Sequence, residues 1–387
     1  MLLQNLNIIG EVESKHIRII NDKIEKFIPE KELTKLNHEE ISIIFDKAIA
    51  FPGLINSHDH LEFNLFPKFG NSVYKNYREW GSDIHRQNEN IISNITKIPK
   101  QLRARWGVYK NLLNGVTTVV HHGGYINIEN GPINIFQNCH TLHSVREKYW
   151  KLKLNNPFKK DWPFVIHVGE GTDISAFEEI SELIRWNLFK KRLIAIHGVA
   201  MNMQQAKAFE ALIWCPDSNF FLLNATARVN ELKTQTTILF GTDSTVSANW
   251  NMWEQIRLAR NLNMLTDEEL FDSMTISPSA VWELSNRGAL RNGKKADIVI
   301  SRMKNKNNLM SSFFQLNPED ILLILTNGEI ALFDETIKNQ LATKVILNDF
   351  SKIFINNVGK YVKGNLAELI NAIKKITPEV KLPIEIE

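Results

Sequence analysis

Residues 51–60 read FPGLINSHDH: an apolar run, a Pro-Gly, then two histidines separated by one aspartate. In an extended strand residues i and i+2 project to the same side, so His58 and His60 converge on one point while Asp59 turns away. Convergence of that kind is what a metal requires, and neutral imidazole ligates Zn²⁺ and also suits Fe²⁺. The pair by itself reads more readily as two surface histidines at a strand end. The same event recurs downstream, however: PFVIH ends in His167, RLIAIH in His197 and TILFGTD in Asp243. Each is a ligand-type residue at the carboxyl end of an apolar strand, and in a barrel of parallel strands those ends share the face on which sites are built. Glu170 lies three residues after His167 in HVGEG, where a carboxylate reaches such a site without ligating. Its alternative role is to cap or compensate the helix that begins near DISAFEEI.

Such ends need strands to carry them. Short apolar runs interleaved with helical stretches begin near residue 48, the pattern of repeated β-α units around a parallel sheet. Strands are expected in AIAFPGLINSH, GVTTVVHH, INIFQNCHTL, PFVIHV, RLIAIHG, ALIWCP and TILFGTD, one short of a (β/α)₈ TIM-type barrel. The shortfall falls between His122 and His167, where about 45 residues must supply strands three and four and their crossovers. The alternating YWKLKL is the candidate for the fourth strand, and the barrel is expected to be irregular there. Residues 1–47 read as short strands, and 289–345 return to that style with a hairpin signal at TNGEI; together they predict a small β-sandwich domain. The barrel occupies 48–288, and 346–387 is expected to be a helical extension.

Composition narrows the partners. Lys and Arg number 46 against 43 Asp and Glu, so the formal charge of +3 offers no footprint for nucleic acid and leaves a small molecule as the default partner. Cys139 and Cys215 are the only cysteines and form no C-x-x-C pair, which fits a reducing compartment. With no long apolar segment and no leader-like N-terminus, the expectation is a cytoplasmic protein without a membrane partner, and a homodimer is the prior for assembly.

The pieces PGLINSHDH, GVTTVVHH, HVGE, IHG, CPDSN, GTDS and SPSAVWELSNRGALRNGKKADIVI, in that order over roughly residues 48–300, resemble the amidohydrolase superfamily. Within it they are similar to the metal-dependent deaminase and chlorohydrolase branch, which includes cytosine, guanine and adenosine-type deaminases. The resemblance implies that His58, His60, His167 and Asp243 hold one divalent ion, zinc or alternatively iron. It further implies that Glu170 moves the proton, that His197 polarises the attacked group, and that Asp243 shares in activating water. No lysine suited to a carbamylated bridge stands at a strand end between His122 and His167; Lys151, Lys153, Lys159 and Lys160 lie in a polar stretch, which favours a single ion. His121, His122, Asn219 and Ser244 are the candidate substrate contacts, and His140 and His143 are weaker ones.

The implied activity is hydrolysis of a non-peptide carbon-nitrogen bond, as deamination of a small heterocyclic amine or amidine by metal-activated water. Alternatives are hydrolysis of a cyclic amide or imidazolone, displacement of another ring substituent, or a barrel that only binds a small ligand. Two departures bear on the substrate. The stretch from His122 to His167 is compressed, and FFLLNATARVNELKTQ follows CPDSN where relatives carry a Gly-rich turn.

Overall fold

The computed structural model of the chain describes residues 1–11, 13–29, 41–158, 160–341 and 345–387. Its first four strands are β1 (Leu2–Ile8), β2 (Lys15–Ile20), β3 (Lys23–Ile28) and β4 (Ser42–Pro52). Eight parallel strands follow: β5 (Leu54–Asp59), β6 (Val116–His121), β7 (Asn134–Phe136), β8 (His140–Leu142), β9 (Phe164–Val168), β10 (Leu193–His197), β11 (Ala211–Trp214) and β12 (Thr237–Phe240). After them come β13 (Ile298–Arg302), β14 (Ile321–Thr326), β15 (Glu329–Asp334), β16 (Phe350–Ile355), β17 (Val358–Lys363) and β18 (Glu385–Ile386).

The parallel strands form two arcs, β5-β6-β7 and β8 through β12, which is the barrel type of fold with a seam at each junction. Among the described residues no ladder joins β7 to β8 or β12 to β5. At the second seam side chains replace the ladder. Asn56 Oδ1 accepts from the backbone N–H of Thr242 at 3.1 Å and Asn56 Nδ2 donates to Thr242 Oγ1 at 2.7 Å, while the Asp243 N–H donates to the His58 carbonyl at 3.1 Å. Strand approach there is so close that a Cβ at Gly241 would lie 2.8 Å from that of His58, so only glycine fits.

INIFQNCHTL therefore holds two strands rather than one, each of three residues, and the expected count of seven becomes eight. YWKLKL is not the fourth strand. Residues Trp150–Leu154 form a helix whose Trp150 and Leu154, spaced i and i+4, are buried while Leu152 is 71% exposed. A strand would have put all three on one face.

The terminal strands join one ten-stranded sheet in the order β18-β16-β17-β15-β14-β13-β4-β1-β2-β3. Its central strands are buried on both sides. Ala48 and Ala50 of β4 with Ile298 and Ile300 of β13 face one apolar cluster, whereas Ile49, Phe51 and Val299 face the core shared with the barrel helices. AIAFPGLINSH accordingly splits at Gly53: residues 48–52 belong to this sheet, and the barrel begins at Leu54 rather than at 48. The hairpin expected at TNGEI is present, with Asn327 and Gly328 at φ 52° and 78° as its turn requires. Residues 346–387 are not simply helical. They begin with the β16-β17 hairpin, whose alternating FSKIFI buries every second residue, before the helix Leu366–Ile376.

Three helices bear on the site, and a fourth lies away from it. Helices α1 (Tyr77–Gln87) and α2 (Glu89–Thr96) cross its mouth, α3 (Lys100–Leu113) packs beneath β5 and β6, and α4 is the Trp150–Leu154 turn already given. At Gly107 of α3 a Cβ would stand 2.2 Å from the Leu61 carbonyl, so the helix sits directly against the turn that follows His60. Among the described residues no helix is long and apolar enough to cross a membrane.

Candidate active site

Strand register brings the imidazoles together before any side chain is considered. His58 and His60 end β5; β9 pairs with β10 so that His167 stands opposite Ile196 and His197 opposite Val168. His60 Nε2 and His167 Nε2 lie 3.3 Å apart with their rings near parallel at 10°. Two nitrogens that share one tetrahedral zinc at the usual bond length are separated by about 3.3 Å. His167 Nδ1 lies 3.0 Å from the His143 carbonyl and donates to it, which leaves Nε2 as the lone pair. His58 is fully buried, and neither of its ring nitrogens has a hydrogen-bond partner among the described residues. An orphaned imidazole costs desolvation free energy that a ligand would recover. Its Nε2 is 3.7 Å from Asp243 Oδ1, and one donor atom each of His58, His60 and Asp243 fall within 4.8 Å of one another.

Electrostatics suits these groups to a cation. Burial, then the neighbouring histidines, holds the pKa of His58 and of His167 well below the ordinary imidazole value, so both present lone pairs. Burial pushes the Asp243 carboxyl up, but His197, His60, the Ser218 hydroxyl and the Ser244 N–H outweigh it and keep it ionised. Its two oxygens are divided between tasks. Oδ2 accepts from Ser218 Oγ at 2.8 Å and Ser247 Oγ at 2.9 Å, and Oδ1, which faces His58, accepts the Ser244 N–H at 2.7 Å. Asp243 and His197 both hold left-handed backbone, at φ 55° and 70°, which costs on the order of 1 kcal/mol or more for a non-glycine residue. Such strain at the ends of two strands turns both side chains toward the same space.

The protonation of His197 is fixed by a relay. Trp214 Nε1, which can only donate, bonds Thr226 Oγ1 at 2.7 Å, so the Thr226 hydroxyl donates onward to Asn219 Oδ1 at 3.2 Å. This orients the Asn219 amide, whose Nδ2 donates to His197 Nδ1 at 2.8 Å. In the neutral ring, favoured because burial lowers its pKa to about 4, the proton then sits on Nε2. His197 thus faces the site as an N–H donor rather than as a lone pair, with Glu170 Oε1 3.5 Å away. Burial first, then Asp243 and Glu179, raises the Glu170 carboxyl well above its usual range, so it retains a proton toward neutral pH.

Glu179 stands behind it on the helix Ile174–Trp186 and accepts the Gly169 N–H at 2.7 Å. Burial lifts its pKa from 4.5 to about 7. A carboxyl raised in the folded state stabilises fully below its unfolded pKa, and that stability is lost as pH climbs through the folded value. Glu179→Gln keeps the acceptor for Gly169 but cannot ionise. The variant is expected to match the parent at pH 5 and to exceed it by about 1–3 kcal/mol at pH 8, read from denaturant midpoints at the two pH values.

The cavity in front of these groups encloses about 610 Å³. His60, His167, Glu170, His197, Asp243 and Ser244 line it together with Phe63, Phe66, Phe69, Tyr77, Trp80, His85 and His143. The other expected contacts lie elsewhere. His121 turns its Nε2 to the Gly124 carbonyl at 3.2 Å, near Glu62; His122 packs behind the cavity wall against His167 with ring centres 4.5 Å apart; Asn219 serves His197. His140 points to the Lys160 carbonyl at 2.8 Å. Of the lysines weighed as a bridge, Lys151 and Lys153 lie on α4, away from the cavity, and Lys159 lies outside the described residues. Sequence reading missed α1 and α2, whose capping signal, Asn76 accepting from the N–H groups of Arg78 and Glu79, was legible. It also missed Lys110, which lies fully buried beneath Asp59.

The Amidohydrolase family profile matches residues 155–331, the span that carries His167, Glu170, His197 and Asp243. A 5-methylthioadenosine/S-adenosylhomocysteine deaminase of Caldanaerobacter subterraneus is 20% identical over 87% of this chain and 94% of its own length. Over that span the chain is similar to the amidohydrolase superfamily. A second relative, the 5'-deoxyadenosine deaminase of Methanocaldococcus jannaschii, is 24% identical and covers 87% of the chain and 96% of its own. Among solved structures, a zinc complex of the atrazine chlorohydrolase TrzN from Arthrobacter aurescens superposes with a TM-score of 0.70 at 15% identity, over 98% of this chain and 100% of that chain. An adenosine deaminase from Xanthomonas campestris with bound zinc gives 0.67 at 12% identity, over 98% and 99%.

Proposed function

We propose that this protein is an amidohydrolase, a mononuclear zinc enzyme that deaminates an aminated heterocycle, with 6-aminopurine nucleosides as the substrate class. The observation that carries the reading is one cavity wall bearing His60, His167 and Asp243, with His58 behind it, and beside them a proton-holding Glu170 facing the N–H of His197. The substrate class rests on the named activities of the relatives and on the size of the cavity, which exceeds what a bare heterocycle fills. Phe63, Phe66, Phe69 and Trp80 supply apolar faces on which a planar ring and its substituent can pack.

When bound, the ion lowers the pKa of a coordinated water toward about 7 and so supplies hydroxide at neutral pH. The chain does the rest. Asp243, with Oδ2 tied to two serines, keeps Oδ1 available to accept the proton of the attacking water. Glu170 gives its proton to the ring nitrogen beside the attacked carbon, and His197 Nε2–H stabilises the oxygen added there. The exocyclic amine takes the proton held on Asp243 and leaves as ammonia, while the added hydroxyl returns a proton to Glu170 and becomes the product carbonyl. His122, His121 and Asn219 act through the residues they pack or bond against, and Ser244 borders the substrate directly.

The finer organisation follows the same reading. The ten-stranded sheet is a second unit folded on itself as a sandwich, supported by its separate apolar cluster, while residues 54–288 form the barrel unit. Cytoplasmic residence is supported by the two unpaired cysteines, and a homodimer is the assembly proposed. The test of function is ammonia release by zinc-loaded protein over a panel of 6-aminopurine nucleosides, free aminated bases, cyclic amides and chlorinated triazines. Ammonia from the nucleosides alone is the expected result. Ring opening of a cyclic amide or chloride release without ammonia would overturn it.

A further inference from the structure

His122 touches neither the substrate nor the reacting atoms in the reaction just described, yet it is buried and its Nδ1 has no hydrogen-bond partner among the described residues. A buried imidazole with an idle nitrogen carries an uncompensated desolvation cost unless something fills the gap. Its surroundings are other imidazoles. The ring centre of His167 is 4.5 Å from that of His122, and the ring centre of His143 is 5.1 Å from that of His167. One nitrogen each of His122, His143 and His167 fall within 4.8 Å of one another, a trio separate from those that His58 forms with His60 and Asp243 or with His167 and His197, apart from the shared His167. These three residues come from three elements: the end of β6, the loop after β8, and β9. The short β7-β8 stretch is what brings His143 this close, since a full-length fourth strand and crossover would have carried the chain past it.

From this geometry we infer a second divalent-cation position, held by His122 and His143 next to the catalytic one and touching it at His167. The inference rests on the catalytic reading, because His167 is common to both. Its single lone pair, on Nε2, can serve only one ion at a time, since Nδ1 donates to the His143 carbonyl. The second ion therefore keeps His122 and His143 as its own ligands and completes its shell with water. Lacking a carboxylate and sharing one imidazole, it binds at least about 100-fold more weakly than the first. It suits a borderline-soft, imidazole-preferring ion such as Zn²⁺ or Co²⁺, not Mg²⁺ or Ca²⁺. His143 borders the cavity and is exposed, so this position is also the one that an ion arriving from solvent meets first.

The test is metal stoichiometry, independent of turnover. Metal-stripped full-length protein is dialysed against graded Co²⁺, and bound metal is counted by elemental analysis alongside the visible d–d absorption. Wild type is expected to bind one equivalent tightly and a second at least about 100-fold more weakly, with its own absorption change. His143→Asn, at an exposed residue, and the double variant His122→Asn/His143→Asn are expected to stop at one equivalent, with the first affinity within about threefold of wild type. Should the double variant fail to fold, His143→Asn decides by itself. A wild type that saturates at one equivalent overturns this inference and leaves the catalytic reading standing, and so does a variant that still binds two. A wild type that binds none removes both.

Discussion

Glu170→Gln is expected to lower kcat by about 10³-fold on whichever aminopurine nucleoside the wild type deaminates, with one tightly bound metal retained. The substitution preserves shape and the contact to His197, and it adds no charge. What it removes is a proton donor in the cavity held in the acid form by burial and by two neighbouring carboxylates. A loss of that size is about 4 kcal/mol of transition-state stabilisation, within the range that one positioned acid supplies. The pH profile provides a second signature. Because the Glu170 pKa is raised, wild-type kcat/KM falls on the alkaline side as the acid form is lost, and the variant profile lacks that limb. Turnover within threefold of wild type in metal-replete Glu170→Gln would remove Glu170 from the chemistry.

The second large effect belongs to a residue with no access to substrate. Lys110 is fully buried on α3, and its ammonium reaches Asp59 Oδ2 at 3.0 Å, Thr242 Oγ1 at 3.1 Å and the Asp243 carbonyl at 3.4 Å. Asp59 is the residue between the two histidines that turns away from the metal, and it also accepts from Asn111 Nδ2 at 2.7 Å and Asn64 Nδ2 at 2.9 Å. One ammonium thus ties the β5 end to the turn carrying Asp243, across the seam that no ladder closes. Lys110→Met leaves a carboxylate buried without its counter-charge, and breaking a buried pair in this way typically costs about 3–5 kcal/mol. The expected result is a loss of that size in denaturant unfolding together with at least tenfold weaker zinc binding. Lys110→Met/Asp59→Asn is expected to recover most of the stability but not the metal affinity, since the strap between the two ligand-bearing ends stays cut. A single variant within 1 kcal/mol of wild type would mean that the pair does not organise the site.

How much of this was legible follows from how each feature is encoded. His58, His60, His167, His197 and Asp243 announce themselves because each ends an apolar run long enough to read as a strand, and parallel strands place their ends together. The strands of residues 134–136 and 140–142 are too short to show any period. YWKLKL, in contrast, alternates from Trp150 onward and is helical there, because burial of Trp150 and Leu154 decides over local pattern. Lys110 looks in RWGVYKNLL like an ordinary solvated helix lysine; only the tertiary fold sets an aspartate above it. The aromatic cavity wall was invisible for a similar reason. Phe63, Phe66 and Phe69 follow β5 in a stretch with only a single short turn of helix, α1 is too polar to read as a core helix, and α2 is only eight residues long. The tautomer of His197 depends on Trp214, Thr226 and Asn219, whose meeting no spacing reveals.

The ten-stranded sheet sets an order of events during synthesis. Its middle neighbours, β4 and β13, pair directly through Phe51 and Val299, yet the entire barrel is translated between them. Strands β1 to β4 leave the ribosome first and wait, with one edge of β4 unpaired, until some 240 further residues have emerged. The nascent chain therefore spends that interval with a sticky edge exposed, and a truncation anywhere before residue 298 leaves it exposed for good.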